Sequence, residues 1–214
     1  MSALDHFGLA LALAALAGLS AYLTAFLLGI AMRLGWFGGV EFEYVGMESL
    51  AEPPILLGAL VLFLVEFFVD KVPRLDSLWD LPHTLVRPLA GALFVLATLK
   101  LGTGGLAETG FVCMGAAVAL LVHSTKAGLR LRINTTPEPF SNVGASALEN
   151  VLVVAGFSLA VQSPSAVVWV IGGVLLLCVL HAPKLWRSNR EILKRVWERL
   201  RRRQPVLEEL EEIS

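Results

Sequence analysis

Apolar residues in this chain fall into blocks of about twenty, each long enough to cross roughly 30 Å of hydrocarbon, and polar segments separate them. Lipid offers backbone N–H and C=O groups no partner, so such blocks are helices or strands of a closed barrel. Barrel strands would be about ten residues long with period-two alternation, and these blocks show neither. An all-α bundle follows. Composition agrees: hydrophobic residues make up 56% and charged residues 16%, against roughly 45–50% and about 25% in soluble globular chains.

The first block runs from Phe7 to about Leu34, long for one span, with Gly18, Ser20, Tyr22 and Thr24 interrupting it. Met1 to Phe7 lacks the basic region and small-residue cleavage site of a signal peptide, so this block is expected as a retained span. A loop with Glu41, Glu43 and Glu48 follows, and Pro53-Pro54 opens a second helix that continues to about Val69. After the charged segment Asp70 to His83 come blocks at about Thr84–Leu101, Leu106–Lys126, Val143–Val161 and Ser165–His181, with Pro183 as the expected stop. Six spans result. Cys113 and Cys178 lie inside apolar blocks and read as buried free thiols.

Basic residues collect on alternate loops: Lys71, Arg74 and Arg87, then Lys126, Arg130 and Arg132, then nine of the 17 Lys and Arg between Lys184 and Arg203. The positive-inside rule then puts both termini in the cytoplasm, with a bacterial inner membrane as the expected setting. Three helices per half, entering from opposite sides, meet the formal condition for an inverted repeat. Residues 1–184 are expected as the transmembrane domain and 185–214 as a cytoplasmic tail. In the tail Ile192, Leu193, Val196, Trp197 and Leu200 form an apolar stripe. Trp186, Arg190, Lys194, Arg195, Trp197 and Arg199 would anchor it to anionic phospholipids in the interface. The Arg201–Arg203 run beside a membrane points to headgroups rather than nucleic acid. A homo-oligomer stays open.

Ionisable groups within spans cost about 2.5–3.5 kcal/mol for Asp, Lys or Arg at the centre, and so mark function first. Glu66, and Glu149 with Asn150, fall at similar depth on the second and fifth helices, where they could share a cation or proton site or serve as structural hydrogen-bond hubs. His123 and Lys126 share a face near the end of the fourth helix and, with Arg87, could attract an anion. Asp70, Asp76, Asp80 and His83 could hold a divalent cation; interfacial salt bridges and a helix cap at Asp80 explain them more cheaply. No cofactor other than such a cation is expected. No phosphate-cradling glycine loop, nucleophile elbow or H-E-x-x-H motif occurs.

The string Glu66-Phe67-Phe68-Val69-Asp70-Lys71-Val72-Pro73, then Asp76-Ser77-Leu78-Trp79-Asp80 and Thr84 to Ala92, resembles a bacterial integral membrane family, the domain-of-unknown-function family DUF4126. Lys126-Ala127-Gly128-x-Arg130 and Asn142-x-x-x-Ser146-x-x-Glu149 resemble its second stretch. The likeness covers the chain up to about His181. It implies a compact membrane unit and no activity, substrate or cofactor. Three functional classes therefore stand: a small transporter, channel or lipid-translocating protein with a central polar site; a metal-dependent enzyme acting on lipid phosphates; and a scaffold that recruits partners through its tail.

Overall fold

The computed structural model describes residues 2–37, 48–72, 75–99, 105–135 and 139–211; for residues 139, 192, 193 and 195–211 it describes the backbone alone. Within these, seven α-helices and one 3-10 turn account for the regular structure, and no strand occurs. They are α1 (Ala3–Leu19), α2 (Ala21–Arg33), the 3-10 turn Glu48–Ala51, α3 (Pro53–Val69), α4 (Leu75–Thr98), α5 (Leu106–Ile133), α6 (Pro139–Gln162) and α7 (Pro164–Glu211).

The first apolar block, expected as one long crossing, is two helices broken at Ser20. Ser20 is extended (φ −153°, ψ 103°) and belongs to both. Its N–H donates to the Leu16 carbonyl and ends α1, while its hydroxyl accepts from the Leu23 N–H and opens α2. A serine can replace lost backbone bonds with its side chain, which makes it a natural breaking point inside an otherwise helical run.

Beyond the break the chain turns back. α1 runs antiparallel to α6: Gly8 packs on the Pro164 carbonyl and Leu16 on Gly156. After α2, Trp36 and Phe37 line one cavity with Asp5 and with Gln162 and Ser165, at the end of the bundle where α1 began, and the Phe37 ring lies 6.5 Å from that of Phe157. Had α2 continued along α1's direction, Arg33 would lie roughly 20 Å beyond Ser20, and the four residues to Phe37 reach only about 14 Å. α1–α2 is therefore a helical hairpin with its tip at Ser20.

The other helices follow from paired contacts. α3 descends beside α2, with Leu50 and Leu56 against Gly29 and Glu66 reaching Ser20. α4 and α5 are antiparallel neighbours, joined from Asp76–Asn134 through Thr84–His123 to Gly91–Gly115. A Cβ on Gly91 would lie 2.7 Å from the Gly115 carbonyl oxygen, so this approach demands a residue without a side chain. The N-terminus sits where α6 turns into α7. The turn after α3, the turn after α5 and the C-terminal part of α7 lie at the opposite, basic end.

α4 shows that the bundle is built for lipid. Asp76, Asp80, His83, Arg87, Gly91 and Phe94 recur at helical spacing and are buried, while Leu78, Leu81, Leu85, Leu89 and Leu93 are exposed. A soluble helix has the reverse pattern. Four helices, α4 to α7, are long and apolar enough to cross a membrane, and α1, α2 and α3 are shorter apolar helices. The 17 residues of α3 span roughly 25 Å, at the lower end of the crossing range.

Several boundaries differ from the sequence expectation. The charged segment after Asp70 forms the first turns of α4, with Pro82 and Pro88 inside the helix. α5 continues past Lys126 to Ile133, which carries Arg130 into the bundle. α7 does not stop at Pro183 but runs to Glu211, so span and tail are one helix of 48 residues. Cys178 is buried as expected; Cys113 is exposed on the outer face of α5. The break in α1–α2 has no counterpart in the continuous α5, so the expected correspondence between halves is missing at its first helix.

The hairpin makes a direct prediction. In a chain without native cysteines, Phe37→Cys with Phe157→Cys should be bridged by a short cross-linker that is thiol-reactive at both ends, and Phe37→Cys with Ser146→Cys should not.

Candidate functional site

The core has two storeys. Near the N-terminal end α1 fills the bundle: Leu9, Ala10, Ala12, Leu13, Ala14 and Ala17 are all wholly buried. Below the hairpin tip the inward faces turn polar. On α5 the stripe goes from Gly115, Val118 and Val122 to His123, Lys126 and Arg130; on α6 Phe157 and Val153 give way to Glu149, Ser146 and Asn142.

The break at Ser20 organises this lower storey. Where α1 ends, the carbonyls of Gly18 and Leu19 accept from cations: Arg87 Nη1 at 3.3 Å and Lys126 Nζ at 3.1 Å. Where α2 begins, the Ser20 hydroxyl donates to Glu66 Oε2 at 2.5 Å. Cations thus meet a helix C-terminus and a carboxylate meets an N-terminus, the favourable sense for both macrodipoles.

From there the ion pairs extend. Arg87, wholly buried, donates from Nη2 to Glu66 Oε1 at 2.7 Å and lies 3.4 Å from Asp80 Oδ1. Its Nη1 also donates to His123 Nδ1 at 2.6 Å. Arginine has no acceptor, so His123 Nδ1 accepts and Nε2 carries the hydrogen, which goes to Thr84 Oγ1 at 3.2 Å. Thr84 in turn donates to the Asp80 carbonyl. Lys126 pairs with Asp70 Oδ2 at 2.9 Å and Glu149 Oε2 at 3.4 Å. Arg130 grips Glu149 with two bonds, Nε at 3.0 Å and Nη2 at 2.7 Å. Its Nη1 serves the Asp70 carbonyl and Asn142.

Of the residues singled out from sequence, Glu66, Arg87, His123, Lys126 and Glu149 belong to one network. The two glutamates do not meet, however. Glu66 is held by Arg87 and Ser20, and Glu149 by Arg130 and Lys126, so each carboxylate has cations of its own. Asn150 is half-buried and hydrogen-bonds to none of the network. The four candidate metal ligands separate. Asp70 goes to Lys126, Asp76 to the Asn134 amide, Asp80 toward Arg87, and His83 to the Trp79 carbonyl and the Tyr22 hydroxyl. Among the described residues no three of His, Cys, Asp or Glu converge as a metal site would require.

Arg130, which the sequence places among the basic residues of a loop, is 1% exposed. Ser20 and Asn142 also escaped that reading. Their signals were present: a serine among the polar interruptions of an overlong block, and Asn142, Ser146 and Glu149 at one-turn spacing on one face. Trp186, Arg190 and Lys194 are exposed on α7. The side chains of Arg195, Trp197 and Arg199 lie outside the described residues.

The chain belongs to the domain-of-unknown-function family DUF4126, whose sequence profile matches residues 7–184. The match contains every residue of the network, from Ser20 to Glu149. No curated protein and no solved structure matches the chain.

Removing one partner from a buried pair strands a charge in a dry interior and costs about 3–5 kcal/mol. Arg87→Ala should lose about that much in detergent unfolding, because it strands Glu66 and leaves the Gly18 carbonyl unpaired. Arg87→Lys should recover only part, since an ammonium cannot reproduce the planar fork that reaches Glu66, His123 and Gly18 together. Arg87→Met with Glu66→Leu should be less destabilised than either single apolar change.

Proposed function

We propose that the chain is a small integral membrane transporter in which the buried network below Ser20 couples a proton to movement of the α1–α2 hairpin. The observation that carries this reading is a charge count. In the ion pairs four carboxylates, Glu66, Asp70, Asp80 and Glu149, surround three basic side chains, Arg87, Lys126 and Arg130, and a fifth buried carboxylate, Asp76, is held by the Asn134 amide. Carboxylates therefore outnumber basic groups inside a lipid-embedded bundle, where unpaired charge is costly. Glu66, Asp70 and Glu149 each hold a cation within 3 Å. Asp80 does not: Arg87 stands off at 3.4 Å and its buried Oδ1 accepts no hydrogen bond. Asp80 is therefore the group that takes up and releases the proton. A metal cation fits poorly there, because Arg87 would repel it and too few oxygens converge.

The geometry gives such a proton something to move. Arg87 touches the end of α1, Glu66 and the neighbourhood of Asp80, so a change of charge at Asp80 alters the competition for a guanidinium that closes the helix break. Broken helices with exposed termini in a bundle interior are a recurrent device of transporters. In this mechanism the arrangement corresponds to a closed state, with the tip sealed by ion pairs.

In this reading α1–α2 re-enters without crossing, and α3 to α7 make five passages. The positive-inside rule then puts the basic end in the cytoplasm. The N-terminus faces outward, and the C-terminal part of α7 stands at the cytoplasmic face, with its basic residues near anionic headgroups. An inner membrane is the natural setting for a helical bundle of this kind.

Proteoliposomes loaded with a pH-sensitive dye test the coupling role. Wild-type protein should collapse an imposed pH gradient faster than protein-free vesicles do. Asp80→Asn should abolish the difference while melting like the wild type, because a neutral amide keeps the shape. A folded Asp80→Asn that still collapses the gradient would remove Asp80 from the mechanism. A wild type no faster than empty vesicles would count against proton coupling altogether.

A further inference from the structure

We infer that the groove between α5 and α7 is a binding site for one anionic glycerophospholipid, separate from the charge network and independent of its proposed role. The two helices run parallel here, and Thr125, Leu129 and Arg132 on α5 face Val174, Leu177, Cys178, His181, Lys184 and Leu185 on α7. The cleft between them holds about 300 Å³. Because the helices are parallel, the groove has a direction. Leu129, Val174, Leu177 and Cys178 line the part nearer the membrane centre; Arg132, His181 and Lys184 line the part at the basic end. An apolar slot that becomes cationic at the headgroup level matches a phospholipid in both polarity and orientation.

Two details favour an anionic headgroup over a neutral one. No carboxylate lines the groove, so its cations are not cancelled from within. Arg132 is also pre-positioned: its Nη2 donates to the Lys184 carbonyl at 3.2 Å, which ties the guanidinium to α7, while its buried Nε has no hydrogen-bond partner among the described residues. A phosphate oxygen would supply the missing acceptor, in a charge-assisted bond of the kind arginine forms well. His181 uses Nδ1 on the Leu177 carbonyl, which leaves its Nε2 for a headgroup. The groove lies where α7 passes from the bundle into its basic tail, so a bound lipid would also fix the base of that helix.

Native mass spectrometry of the full chain in detergent tests this, with phosphatidylglycerol and phosphatidylcholine of identical acyl chains as probes. The expected result is one retained phosphatidylglycerol, favoured over phosphatidylcholine by on the order of tenfold or more. Arg132→Gln with Lys184→Gln should erase the preference. Leu177→Trp, at an exposed position, should block binding by filling the slot while every charge stays in place. Arg190→Gln with Lys194→Gln, farther along the tail, should leave the preference intact. Equal retention of both lipids would overturn the proposal. So would a preference that survives the Arg132/Lys184 change, since it would then belong to the tail. Displacement by millimolar inorganic phosphate would show a free-anion site and overturn the lipid assignment.

Discussion

A helix cannot stop in the middle of a membrane bundle without supplying partners for the carbonyls it abandons. At Ser20 this chain stops one helix and starts another, and the rest of the structure follows from how the exposed ends are satisfied. The last carbonyls of α1 accept from Arg87 and Lys126. Two cations in a dry interior then need counter-charges, which Glu66, Asp70 and Glu149 provide. The upper storey, with its alanine- and leucine-rich α1 packed tightly against its neighbours, holds the tip at the depth where these charges lie.

The same chain of requirements explains why each helix changes character along its length. Arg87, His123, Lys126, Arg130, Glu149 and Asn142 come from α4, α5 and α6, and all lie below the tip. Above it those helices present Phe94, Val95, Val118, Val153 and Phe157 to α1. Arg130 shows the density of the arrangement: one guanidinium binds Glu149 bidentately and also serves Asn142 and the last turn of α3. Only Asp80 stands apart, close enough to feel Arg87 and too far to neutralise it fully. In the proposed mechanism that makes it the point of entry for a proton.

Much of the fold was legible in the sequence, and the misreadings have physical causes. Block length and composition dictated a helical membrane bundle, and both ends of α3 and the C-terminal end of α6 were placed well because prolines and polar clusters mark them. The overlong first block was visible too, but hydropathy cannot distinguish a long crossing from a hairpin: both are apolar, and one serine carries the difference. The start of α4 was misjudged because Asp76, Asp80, His83 and Arg87 look like a surface segment when read in line. Read around a helix they share one face, and the leucines between them share the other. The residues of the site were mostly named, yet their partners were not. Glu66 and Glu149 do belong to one network, but which cation each one meets depends on the tip of α1, which the sequence places only after the hairpin is known.

The hairpin is the claim on which the charge network, the five passages and the proton site all rest, and the sidedness of the two ends of the chain tests it most directly. Asp5→Cys and Arg190→Cys, each in a background without native cysteines, can be labelled with a membrane-impermeant maleimide in sealed, uniformly oriented vesicles. The account predicts labelling from opposite faces, with Asp5→Cys reached from outside and Arg190→Cys from the cytoplasmic side. Labelling of both positions from the same face would mean that the first block crosses the membrane and would contradict the hairpin.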